Sequence, residues 1–315
     1  MSIFALLIGI SFILGAVQMT VDWGDPRPER VVTDHALPPA PPLPAAESSI
    51  PANPDAPTVP RVATFSPELR PAGTVPGRLV LDISMGDFVI EPGPPGEPIR
   101  VIADYDANSF VLEESYTPTG DGGWTYDIDF RAKGGWMGLL MRGGVEEGDN
   151  EVRIIVPRDQ PFVLEGKIGI GKSETDLGGL WVEAVDIAFG TGDHFLEISE
   201  PPPFPYEHFF VDAGIGEVEV RNVGAASPAR VMVEHGIGEL TVDLRGPWQN
   251  DATIMLDLGI GEARVLLPQD VFADIDSSVS LGERTVDRRD PSEIPEGAPT
   301  LTVEVGGNIG ELSVQ

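Results

Sequence analysis

The chain contains no cysteine, and among its 20 basic residues only Lys133, Lys167 and Lys172 are lysines. Without thiols there is no disulfide framework, no thiolate metal site and no cysteine for a lipid anchor, so packing alone has to hold the fold. Positive charge is the second shortage. The 51 acidic residues leave a formal net charge of −31, which repels nucleic acid and anionic lipid headgroups and argues against both as partners. No GxSxG nucleophile elbow occurs, and His35, His194, His208 and His235 are too scattered to build the i, i+4 pair of a helical zinc site. The acidic residues are so numerous that no pair stands out as a general acid and base. These absences point away from an enzyme and single out no catalytic, cofactor-binding or metal-ligating residue.

Glycine and proline, at 37 and 31 residues, are abundant and unevenly placed. Residues 3–17 form an uncharged apolar run, the length of a signal-peptide core and, extended through Val21, close to that of a membrane span. Residues 1–22 are accordingly expected to be a signal peptide or a membrane tether, and either exports the rest of the chain. Residues 23–77 show no helical or strand periodicity and carry Pro38, Pro39, Pro41, Pro42, Pro44, Pro51, Pro54, Pro57 and Pro60, the composition of a disordered linker. In polyproline II geometry, at about 3.1 Å per residue, such a stalk reaches on the order of 150 Å.

Residues 78–315 hold a repeat. Gly169-Ile-Gly-Lys172, Gly190-Thr-Gly-Asp193, Gly214-Ile-Gly-Glu217, Gly236-Ile-Gly-Glu239 and Gly259-Ile-Gly-Glu262 succeed one another at intervals of 21, 24, 22 and 23 residues. Weaker copies lie at Met85-Gly-Asp87, Leu281-Gly-Glu283 and Asn308-Ile-Gly-Glu311. A period of about 22 residues belongs to stacked architectures, in which each unit buries its apolar face against its neighbours. Around each motif the apolar residues alternate with period two, and the phase reverses at the glycines. Val231, Val233 and Ile237 share one face before the motif, and Leu240, Val242 and Leu244 share one after it. Unbroken alternation would turn the second set to water, so the chain has to bend at the glycines to keep both sets inside. The expected fold is an all-β, β-solenoid-like stack with Gly-x-Gly corners, the alternative being a two-sheet β-sandwich.

The stretches ARVMVEHGIGELTVDLRGPWQNDATIMLDLGIGEARVLLP and DLGGLWVEAVDIAFGTGD resemble the toast-rack, or putative-adhesin, domains, a group that includes the C-terminal domain of Lia-type cell-wall-antibiotic response proteins. The resemblance covers roughly Leu79 to Val314. It implies an all-β stack exported to the bacterial envelope, with a part in adhesion or envelope-stress sensing, and it supplies no catalytic residues. Lia-type proteins usually carry several membrane helices ahead of this domain, where this chain offers one apolar segment.

Gly166-Lys-Ile-Gly-Ile-Gly-Lys-Ser173 fits the phosphate-loop pattern GxxxxGK[ST]. A phosphate loop needs a helix directly after it, whereas the stretch that follows, Glu174-Thr-Asp-Leu-Gly-Gly-Leu180, contains two glycines and the motif coincides with a repeat copy, so nucleotide binding is not expected. The acidic residues after the glycines, Asp193, Glu217, Glu239 and Glu262, are expected to form a solvent-facing ladder; a weak site for hard cations is the sharper alternative. His194 and His235, at repeat corners, are expected on the surface. A possible binding surface is assigned to Trp136 and Met137, in a glycine-framed apolar cluster that would otherwise plug the end of the stack, and to Phe204 and Tyr206, in a proline-rich connector. The expected partner is an envelope protein or polysaccharide; the alternatives are self-association through terminal strands and an envelope hydrolase.

Overall fold

The computed structural model describes residues 30–37, 73–134, 150–287 and 294–315. Fourteen strands lie among them: β1 (Arg30–Ala36), β2 (Gly77–Met85), β3 (Asp87–Gly93), β4 (Arg100–Asp106), β5 (Phe110–Pro118), β6 (Trp124–Ala132), β7 (Glu151–Pro157), β8 (Phe162–Asp176), β9 (Val182–Glu197), β10 (His208–Arg221), β11 (Arg230–Asp243), β12 (Ala252–Leu266), β13 (Phe272–Val286) and β14 (Thr300–Val314). No helix among the described residues is long and apolar enough to cross a membrane; residues 1–22 lie outside them.

Strands β8 to β14 each run through a glycine corner without interruption, so a rung is one bent strand with two arms. Neighbouring rungs pair in parallel with the motifs in register: Gly216 faces Gly192 and Gly238, and Gly261 faces Gly238 and Gly310. Strands β2 and β3 make the same bend in two pieces, β2 pairing with the first arm of β8 and β3 with its second. The stack is therefore all-β and solenoid-like, a mixed sheet running β1-β4-β7-β3-β8-β9-β10-β11-β12-β14-β13 along the second arms and extended along the first arms by β2, β6 and β5.

The inward rows explain why the repeat folds. On the first arms Leu164, Val185, Phe209, Val231, Ile254 and Val303 are cross-strand partners, and on the second arms Leu196, Val220, Val242, Val265 and Val314 are. All are fully buried. Each such side chain contributes roughly 1.5–3 kcal/mol by leaving water. Return segments between rungs close the third side with Leu177, Leu180, Tyr206, Val223, Leu244 and Trp248, all in the same core. At the β6 end the filling is aromatic: Phe110 stacks on Phe130 at 5.2 Å between centroids, and Tyr105 meets Phe130 edge-on at 5.4 Å.

Two features lie outside the sequence-based expectation. Within the stretch assigned to a linker, Arg30–Ala36 forms a strand antiparallel to β4, fixed by Arg30 to Asp104 and Arg100 to Asp34. It buries no side chain fully, which is why no apolar alternation announced it. The last repeat copy in the sequence is not the last rung of the stack; it lies between β12 and β13. The reason is compositional. Leu301, Val303, Val305, Leu312 and Val314 can be covered from both sides, whereas β13 presents Ser277 and Arg284 in the corresponding rows and suits an edge.

Candidate interaction surface

The corner imposes a strict division of side chains. In the second glycine of each motif φ lies between 131° and 149°, from Gly86 through Gly171, Gly192, Gly216, Gly238, Gly261 and Gly310 to Gly282, a region that residues with a side chain rarely adopt. This sharp bend places both the residue before the first glycine and the residue after the acid inside. The central residue and the acid stay outside.

His194 and His235 are thereby carried inward, each 3% exposed, correcting the expectation that they lie at the surface. The His194 Nδ1 is 2.9 Å from Ser173 Oγ, and its ring stacks on Phe189 at 4.3 Å. Burial lowers its pKa to about 4; the Asp193 charge opposes that shift and the nearby His235 adds to it. His235 Nε2 lies 3.2 Å from the Gly216 carbonyl oxygen, and burial also lowers its pKa. The serine–histidine contact is sealed in the corner, where no substrate reaches it.

The same bend corrects the orientation of the isoleucines. Ile237 does not share the buried face of Val231 and Val233; His235 takes that place, and Ile237 is 46% exposed. Its equivalents Ile170, Ile215, Ile260, Ile309 and Leu281 are likewise exposed. Paired across the strands, they form one line along the stack, interrupted by Thr191. These residues are between 45% and 68% exposed, and an apolar line of neighbouring side chains held in water marks an interaction surface more strongly than the same residues scattered singly.

Beside this line runs the expected acidic ladder. Lys172, Asp193, Glu217, Glu239, Glu262, Glu311 and Glu283 succeed one another in register. Glu262 also pairs with Arg264 at 3.2 Å. Strands spaced at about 4.8 Å bring neighbouring carboxylates close enough to repel by roughly 0.9 kcal/mol in water, which keeps them solvated and spread along a line. Among the described residues no group of three or more His, Asp or Glu converges as a metal site. Gly166–Ser173, the phosphate-loop match, is an uninterrupted part of β8, with no helix after it to cradle a phosphate.

The outer face of the first arms carries a second feature, a shallow groove of about 760 Å³. Phe210 and Met232 give it apolar lining, and Asp82, Asp186, Asp212 and Glu234 line it with carboxylates. His208 Nε2 lies 2.8 Å from Asp186 Oδ2.

Of the residues assigned to a binding surface, Trp136 and Met137 lie outside the described residues. Phe204 is half-buried, its ring 4.8 Å from that of Trp181. Tyr206 is only 1% exposed, and burial raises its phenol pKa far above the ordinary value. Its backbone is pinned to Ala226 and Ala229, so this connector closes the core. What sequence reasoning missed is the outward line of isoleucines, and the signal for it was present in the phase reversal: only one apolar residue at the corner can keep to the inward face.

No protein-family model matches the chain, and no curated protein matches it. Its structure is similar to solved structures described as putative adhesins. One is a "putative cell adhesion protein" from Clostridium sporogenes, with 16% identity and a TM-score of 0.40 over 78% of this chain and 95% of that one. A "putative adhesin" from Bacteroides fragilis has 9% identity and a TM-score of 0.35 over 77% of this chain and 94% of that one. Another from Parabacteroides merdae has 8% identity and a TM-score of 0.27 over 90% of this chain and 95% of that one.

Proposed function

We propose that this chain is a non-enzymatic, adhesin-like binding module displayed outside the cytoplasm by its apolar N-terminal segment. The observation that carries the reading is the exposed row Ile215, Ile237, Ile260 and Ile309, held in line by a stack whose interior is fully packed. A rigid scaffold that keeps apolar side chains in water at a fixed spacing has the properties of a recognition surface. The buried Ser173–His194 contact and the linear spread of the carboxylates favour binding over catalysis.

The test is display of the full chain on a non-adherent bacterial host, with attachment scored on surfaces coated with envelope polysaccharide or envelope protein. Retention above that of the undecorated host supports the reading, as does protease access to the domain in intact cells. Full protease protection, or no retention on any surface, contradicts it.

A further inference from the structure

Ile215, Ile237, Ile260 and Ile309 occupy four consecutive rungs, and Glu217, Glu239, Glu262 and Glu311 stand beside them in the same order. Thr191 ends the isoleucine run on one side. Beyond it Lys172 replaces the acid, so the acidic row has a charged stop. A partner that reads this surface must present apolar groups at the pitch of the rungs and positive charge along one flank.

Pitch separates the candidate partners. An extended peptide repeats the side chains of one face every 6.8 Å or so, about 2 Å longer than the strand spacing of about 4.8 Å, and falls out of step by the second rung. An α-helix advances about 5.4 Å per turn, only about 0.6 Å more than a rung, and stays within about 2 Å of register across four rungs. Charge separates them further. The chain carries a net charge of −31, so a partner of like sign is repelled, and each cation placed between two glutamates relieves their mutual repulsion.

From pitch and charge, and building on the binding-module reading above, we infer that the corner ridge docks a cationic amphipathic helix of about four turns, supplied by a partner protein. Its apolar stripe lies on the four isoleucines, and its lysines or arginines face the four glutamates.

The probe is a synthetic 15-residue helical peptide with leucines at i, i+4, i+7 and i+11 and lysines along one flank, titrated into the full chain and followed by fluorescence anisotropy. The ordered peptide should bind at least about tenfold more tightly than a shuffled peptide of the same composition, and added salt should weaken it. Combined Ile215→Thr, Ile237→Thr and Ile260→Thr should reduce affinity by at least about tenfold with the circular dichroism unchanged, since Thr191 already occupies that place in the stack. Combined Glu217→Gln, Glu239→Gln and Glu262→Gln should lower affinity and flatten its salt dependence. Equal binding of the shuffled peptide, or none by the native chain, overturns the inference. Should displayed chains retain cells equally well with and without the threonine substitutions, the ridge is not the docking site although the binding-module reading stands.

Discussion

The α-carbon of Gly238 rests against the carbonyl oxygen of Gly216, so closely that a methyl group added there would stand 1.8 Å from that oxygen. Its φ of 139° is a conformation that side chains rarely adopt. The contact recurs rung after rung; the first glycines make a similar approach but lack the positive φ, and the two constraints together explain why the second glycine persists even where the first is replaced by Asn308 or Ser280. Gly238→Ala is therefore expected to destabilise the fold by on the order of 3 kcal/mol or more. Gly122→Ala, at a positive φ with nothing within 4 Å, should cost only about 1 kcal/mol. Chemical denaturation of the two variants checks the contrast, and comparable losses would remove close stacking as its cause.

The stack was legible because its physical causes repeat: glycine where the backbones touch, and alternating apolar residues on both sides. Features with a single occurrence were not legible. The antiparallel strand at Arg30–Ala36 is held by backbone pairing and surface ion pairs, which leave no apolar pattern. The position of Thr300–Val314 inside the sheet depends on comparing its inward residues with those of Phe272–Val286, a comparison between two rungs that neither reveals alone. The isoleucines were misread because alternation is a property of straight strands, and at the corner the chain is not straight.

Acid should loosen the corners. His194 has its pKa lowered to about 4 in the folded protein, while the unfolded chain titrates near 6.5. Between those values the unfolded state takes up a proton that the folded state refuses, so stability is complete above about pH 6.5 and declines until about pH 4. The loss from this residue amounts to about 3 kcal/mol, and it levels off at lower pH. His194→Val, which copies Val218 on the next rung, should flatten the fall in melting temperature across that interval. An unchanged slope would show that His194 does not carry it.

The edge strand β13 carries an exposed charge, Arg284, in a row that is apolar on the neighbouring rungs, and this charge is expected to discourage pairing there. Arg284 stands in the row of Leu240, Ala263 and Leu312 and donates to the Ser277 carbonyl oxygen. Edge strands that expose an apolar face recruit other edges, and a charge in that face discourages them. Arg284→Val is expected to produce a concentration-dependent rise in mass by light scattering relative to the native chain. Equal masses at all concentrations would mean that the arginine is not what blunts this edge.

Tyr206 should behave as a core residue. Tyr206→Ala removes a fully buried ring and is expected to cost about 3–5 kcal/mol. The hydroxyl reaches the Leu177 carbonyl oxygen only at 3.5 Å, so Tyr206→Phe should cost less than about 1 kcal/mol. Thermal melts of the pair decide it; a mild alanine variant would return this residue to the surface.

The register of the rungs is measured most directly by the distance between spin labels on the corner line. The chain has no cysteine, so Ile170→Cys can be combined with Ile309→Cys in one sample and with Leu281→Cys in another, and pulsed electron resonance read on both. Five rung intervals separate the first pair and six the second, giving about 24 Å and about 29 Å at the usual strand spacing. The account predicts that position 309, later in sequence, lies nearer to 170 than position 281 does. Finding 281 the nearer of the two, or separations far beyond these values, would contradict a stack in which the glycine corners lie side by side.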